Sequence, residues 1–101
     1  MIIALDYDQT ITKDPQFWAN FVQLARQHRH QVVVVTARPG TQPVEQHIGV
    51  PVYYTSHALK APFMKKQGVR VDVWIDDHPD SINGGYSILR WSDDAATVSD
   101  A

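Results

Sequence analysis

Apolar residues along this chain come in short unbroken runs separated by amphipathic stretches. Ile2-Ile3-Ala4-Leu5, Val32-Val33-Val34-Val35, Val50-Pro51-Val52-Tyr53-Tyr54 and Val71-Asp72-Val73-Trp74-Ile75 read as strands. They are short, rich in β-branched and aromatic residues, and bounded by polar or turn-forming positions. Consecutive rather than alternating apolar residues point to burial on both faces, as in a parallel sheet covered by helices. The first strand is predicted over Ile2 to Asp6, and Pro51 sits near a strand start, where a missing N–H is tolerated.

The intervening segments carry helical signals. Asp14 caps and Pro15 opens a helix to about His28, with Phe17, Trp18, Phe21, Val22, Leu24 and Ala25 as its apolar positions and the aromatic residues in the core. Arg26, His28 and Arg29 suit the negative pole of its dipole. Thr41 to Ile48 is predicted as a short helix whose start Pro43 restricts. Another runs from Leu59 or Lys60 to Gln67, with Pro62 in its first turn and Gly68 as its stop. A helical turn over Pro79 to Asn83 leads through Gly84-Gly85 to a last strand, Tyr86 to Arg90. The tail from Ser92 is small, polar and acidic, so disorder is expected there. The alternation predicts an α/β fold, a three-layer sandwich around a mostly parallel five-stranded sheet. Residues 1–91 form the domain and 92–101 the tail.

Composition narrows the chemistry. A chain of 101 residues has room for one core. A net charge of −2 provides no basic field to draw it to nucleic acid or an anionic membrane, so nucleic acid enters only as a substrate. Without cysteine there are no disulfides, thiolate metal sites or thiol nucleophiles, and the five histidines lack the paired spacing of a zinc site. The opening MIIALDYD does not read as a signal peptide, and no apolar run approaches the roughly 18 residues of a membrane span. A cytoplasmic location is the default expectation.

In open parallel sheets, ligands bind beyond the carboxyl ends of the strands. Those ends carry Asp6 and Asp8, Thr36 and Arg38, Thr55 and Ser56, and Asp76 and Asp77, with Lys60 at a nearby helix start. Like charges ~4 Å apart repel by ~4 kcal/mol at an effective dielectric near 20. A cluster of these acids therefore calls for a hard divalent cation such as Mg²⁺, while Lys60 and Arg38 add positive charge suited to a phosphoryl group.

The segment DYDQT, the apolar strand ending in Thr36, the lysine at a helix start and WIDD resemble, in order, the four motifs of the haloacid dehalogenase superfamily. The likeness extends from Ile2 to about Arg90. It implies a Rossmann-like core and a Mg²⁺-dependent phosphatase working through an aspartyl-phosphate. Asp6 would be the nucleophile, and Asp8 the acid and then the base, its backbone carbonyl also reaching the metal. Thr10, Thr36, Ala37 and Arg38 would meet the substrate phosphate, and Lys60 would neutralise charge on Asp6 and phosphate. Asp76 would complete the metal site, with Asp77 orienting Lys60 or a metal-bound water.

The chain departs from the family pattern at Gln9, where many members have glycine. Lys65 and Lys66 compete with Lys60, and Asp80 competes with Asp77. His78 adjoins the acidic pair and is a further candidate for substrate contact. The short spacers after Thr12 and after Tyr54 leave no room for the family's usual cap domain. An open site suits a small phosphorylated molecule covered by a neighbouring subunit, or a phosphate on a macromolecule. Two other functions fit the same residues: a phosphate- or metal-binding module without turnover, and a receiver-like domain phosphorylated on aspartate. The enzyme reading requires the Asp6 and Asp76 side chains to lie within about 10 Å, since ~2.1 Å metal–oxygen bonds span no more.

Overall fold

A computed structural model describes residues 1–84; the expected strand Tyr86 to Arg90, Trp91 and the tail from Ser92 lie outside them. The described chain is a compact α/β domain whose four parallel strands run in the order β3-β2-β1-β4. These are β1 (Ile2–Leu5), β2 (Gln31–Thr36), β3 (Val52–Tyr54) and β4 (Val73–Ile75). Three α-helices accompany them, α1 (Pro15–Gln27), α2 (Lys60–Lys66) and α3 (Asp80–Asn83), with a 3-10 turn at Ile11–Lys13.

The unbroken apolar runs are explained by the pleat, which sends successive side chains to opposite faces. Ile3, Leu5, Val32 and Val34 pack with Val22 and Ala25 of α1 on one face. Ala4, Val33 and Val35 pack with Met64 of α2 on the other. Each large aliphatic side chain so buried contributes about 1.5–3 kcal/mol. The inner strands β1 and β2 therefore need apolar residues at nearly every position.

Asp14 caps α1 as predicted, its Oδ1 accepting a 3.1 Å hydrogen bond from the Phe17 N–H. Phe17 and Leu24 differ from expectation, being 54% and 55% exposed. Trp18, Phe21, Val22 and Ala25 already complete the i, i+3, i+4, i+7 stripe that meets the sheet, and Phe17 and Leu24 fall on its flank. Asp72 lies just before β4: its N–H donates to the Ile2 carbonyl and its Oδ2 accepts from the Ile2 N–H, both at 2.8 Å. This clamp sets the β1/β4 register from the amino end.

The helix expected over Thr41 to Ile48 is absent; the segment is an irregular strap. Its amides are satisfied by phenol oxygens instead of helical carbonyls. Val44 N–H donates to Tyr54 OH at 3.1 Å, and Glu45 and Gln46 N–H donate to Tyr7 OH at 3.1 and 2.9 Å. None of the helices among the described residues is long and apolar enough to cross a membrane.

α2 closes with the glycine its sequence announced. Gly68 adopts φ +75°, its N–H bonds Lys65 O at 3.0 Å, and Val69 N–H reaches Met64 O at 3.0 Å. α1 ends the same way with a non-glycine residue in the left-handed region, Arg29 at φ +64°. Gly68→Ala should therefore lower stability by about 1 kcal/mol, and Arg29→Gly should raise it by a few tenths, as read by chemical denaturation.

Candidate functional site

The carboxyl ends of β1, β2 and β4 bring the predicted residues to one edge. The β1/β4 pairing extends one residue past β1, with Asp6 N–H bonded to Ile75 O at 2.9 Å, so Asp6 lies beside the start of the Asp76-Asp77 pair. One carboxylate oxygen from each of Asp6, Asp76 and Asp77 lies within 4.8 Å of the other two. The geometric condition set by the sequence is met with room to spare.

Lys60 ties this group together. It is the first residue of α2 and only 2% exposed. Its ammonium donates to Asp6 Oδ1 at 2.8 Å and to Asp76 Oδ2 at 2.6 Å. Lys65 and Lys66, its rivals in the sequence, are exposed. Asp76 also accepts from the His78 backbone N–H at 2.9 Å, and Ser81 Oγ lies 3.2 Å from its Oδ2. His78 thus contributes its backbone amide to the acidic group, and its side chain is exposed.

One amine does not balance three carboxylates. Burial pushes the Asp6 carboxyl up to about 6, a rise that hydrogen bonding from Lys60 opposes and that Asp77 and Asp76 reinforce. A divalent cation fits this excess charge and the donor set, which is all hard oxygen. Each carboxylate keeps an oxygen that is not on Lys60.

The other expected residues divide between this cluster and a second group. Thr10 is buried and its hydroxyl donates to Asp6 Oδ2 at 3.3 Å. Thr36 is 1% exposed, and its hydroxyl accepts from the Arg38 N–H at 3.3 Å. Asp77, expected to orient Lys60 from outside, lies in the acidic cluster itself, while Lys60 bonds Asp6 and Asp76. The Asp80 side chain is not part of the cluster.

Asp8 contributes no side chain to it either. Both of its oxygens are held by Arg38, Nε to Oδ2 at 2.9 Å and Nη2 to Oδ1 at 2.8 Å. Arg38 Nη1 in turn donates to Pro43 O and Glu45 Oε1, each at 3.2 Å, and the guanidinium stacks 4.9 Å from the Tyr7 ring centre. The Arg38 pairing draws the Glu45 carboxyl below its ordinary range. Arg38, expected on phosphate, is therefore committed to carboxylates of its own chain.

Gln9 adopts φ +66°, the left-handed conformation that favours glycine, and its N–H donates to Thr12 Oγ1 at 2.9 Å. Sequence reasoning missed Tyr7, Tyr54, Glu45 and Ser81. A tyrosine directly beyond an apolar strand, as Tyr7 is, carried a signal, because a buried phenol must find a polar partner. No family model matches the chain, and no curated protein or solved structure matches it.

The Asp6 environment sets a pH dependence. With the folded carboxyl near 6 and the unfolded one at 3.8, the native state holds an extra proton between these values. The contribution of this group is thus fully present below about pH 4 and lost as pH rises through 6. In chelator-treated protein, thermal unfolding should show stability falling across that window, and Asp6→Asn should flatten the fall.

Proposed function

We propose that this chain is a capless member of the haloacid dehalogenase superfamily with a Rossmann-like, three-layer core, a Mg²⁺-dependent phosphatase acting on phosphomonoesters. The observation that carries this reading is Lys60, buried and bonded at once to Asp6, 54 positions away, and to Asp76, 16 positions away. Burying an ammonium with two carboxylates costs several kcal/mol per ion in desolvation, which makes it a poor device for stability alone. It is a good device for holding a nucleophile and a metal ligand in fixed relation.

In the first step an Asp6 oxygen attacks phosphorus in line, forming the Asp6–phosphorus bond as the bond to the leaving oxygen breaks. The leaving oxygen takes its proton from Asp8, which must first turn away from Arg38. Asp8 then removes a proton from water as the water oxygen attacks phosphorus, and the bond to Asp6 breaks, releasing inorganic phosphate. Lys60 neutralises charge on Asp6 and on the transferred group. Thr36 accepts from the Arg38 N–H, so its own hydroxyl proton is available to a phosphate oxygen, with the Ala37 N–H beside it. Asp6, Asp76 and the Asp8 carbonyl would hold Mg²⁺, with Asp77 close by. The cation's contribution is to screen Asp6 from the phosphate it attacks and to stabilise charge building on the phosphoryl oxygens.

The Arg38–Asp8 pair lends weight to one alternative. An Asp8 that stayed on Arg38 would leave a phosphorylated Asp6 long-lived, as in a receiver-like domain.

Hydrolysis of an aryl phosphate with Mg²⁺ should be abolished by chelation and reduced by roughly a thousandfold or more in Asp6→Asn, with circular dichroism confirming its fold. Turnover undiminished by either change rejects the mechanism. Stoichiometric phosphorylation by acetyl phosphate without turnover would instead support the receiver-like reading.

A further inference from the structure

The proton transfers proposed for Asp8 take from Arg38 its main partner. At rest the guanidinium gives Nε and Nη2 to the two Asp8 oxygens, at 2.9 and 2.8 Å, and Nη1 to Pro43 O and Glu45 Oε1. Once Asp8 turns to the leaving oxygen, Nη1 keeps its acceptors and the Nε–Nη2 edge has none. That edge is a planar fork that matches two oxygens of one carboxylate or phosphoryl group. Asp8 demonstrates the fit, being a carboxylate seated there with both bonds made.

The fork can be reached from solvent. Arg38 and Asp8 line an open groove of about 730 Å³ together with Ala37, Gln42, Glu45 and His57. The side chains of Arg38 and Asp8 are 21% and 48% exposed, a setting in which ion pairs exchange partners at little cost. When Asp8 has left carrying a proton, Arg38 and Glu45 balance and the lining is neutral. Gln42 and His57, both exposed, add donors of their own. Glu45 does not keep an anion out, because the fork already holds the Asp8 carboxylate with Glu45 in place. Two guanidinium donors left without an acceptor carry a penalty that an incoming anion removes.

We infer that the Nε–Nη2 edge of Arg38 is a subsite for a second anion on the substrate, a carboxylate or phosphate close to the ester oxygen, which replaces Asp8 as Asp8 moves to the leaving group. The inference rests on the phosphatase reading and names its substrate class, phosphomonoesters bearing another acidic group a few bonds from the ester. Two hydrogen bonds are given up and two are regained, so binding the anion and releasing the acid are one exchange. Asp8, freed of the cation, takes from solvent the proton that it passes to the leaving oxygen.

Three esters of similar size provide the test on the intact chain with Mg²⁺: phosphoglycolate, the neutral 2-hydroxyethyl phosphate and the cationic phosphoethanolamine. p-Nitrophenyl phosphate, whose leaving group needs no proton, is the reference. Phosphoglycolate should exceed the other two in kcat/KM by about tenfold or more, an excess that shrinks as salt is raised. Arg38→Gln should bring the three together, and Arg38→Lys, lacking the fork, should keep only part of the preference. Because Arg38 also holds the strap through Pro43 and Glu45, Gln42→Glu is a second variant. Its added negative charge on an exposed wall of the groove should narrow the preference while leaving the bonds of Arg38 alone. Equal activity on phosphoglycolate and 2-hydroxyethyl phosphate in the unaltered protein, with p-nitrophenyl phosphate hydrolysed, overturns the subsite and leaves the phosphatase standing. A preference that survives Arg38→Gln, with the fold intact by circular dichroism, does the same. Hydrolysis of none of the four esters overturns both.

Discussion

A single buried ammonium organises the structure. Lys60 joins the end of β1 to the end of β4 from the start of α2. The placement runs against local preference, since a cation at a helix amino terminus opposes the dipole and α2 has no side-chain cap. Asp6 and Asp76 compensate at close range. Both flanking strands must end in register for the two carboxylates to meet one amine. The Asp72 clamp on Ile2 at the opposite end of β1 and β4 supplies that alignment.

A second ionic group, separate in its partners, lies along the same edge. Asp8, Arg38 and Glu45 form a chain of pairs in which the arginine is sandwiched between carboxylates and the face of Tyr7. Buried Lys60 holds the acids that would bind metal and attack phosphorus, and Arg38 holds the half-exposed one that would shuttle protons. The first group is rigid by burial. The second lies nearer water, where an ion pair is worth ~1 kcal/mol or less and exchange of partners is cheap. An acid able to change partners beside a buried one would suit the two-step transfer proposed for this edge.

Most of the architecture was legible because hydrophobic patterning dominates it. The runs at Ile2–Leu5 and Val32–Val35 could only be strands buried on both faces, and Asp14-Pro15 and Gly68 marked helix ends through local chemistry that tertiary context left unchanged. The convergence of Asp6, Lys60, Asp76 and Asp77 followed from the rule that parallel strands share a carboxyl edge. What escaped was set by contacts between distant segments. Nothing near Thr41 to Ile48 announces that phenols from Tyr7 and Tyr54 will take its amides. The partner of Arg38 was equally hidden, since a guanidinium after a strand serves phosphate or carboxylate alike, and Glu45 came from the segment misread as a helix. Phe17 and Leu24 show the limit of counting apolar residues without asking how many one helix face accommodates.

Tyr7 stands between the nucleophile candidate and its acid–base partner in the chain, and its hydroxyl is also the post to which the strap is tied. Swinging the strap outward would break three hydrogen bonds to a phenol whose ring is wedged in the core. The strap is thus rooted in the same loop as Asp6 and Asp8. Held at three points, the strap is a fixed wall beside Asp8 and Arg38 and not a lid that swings.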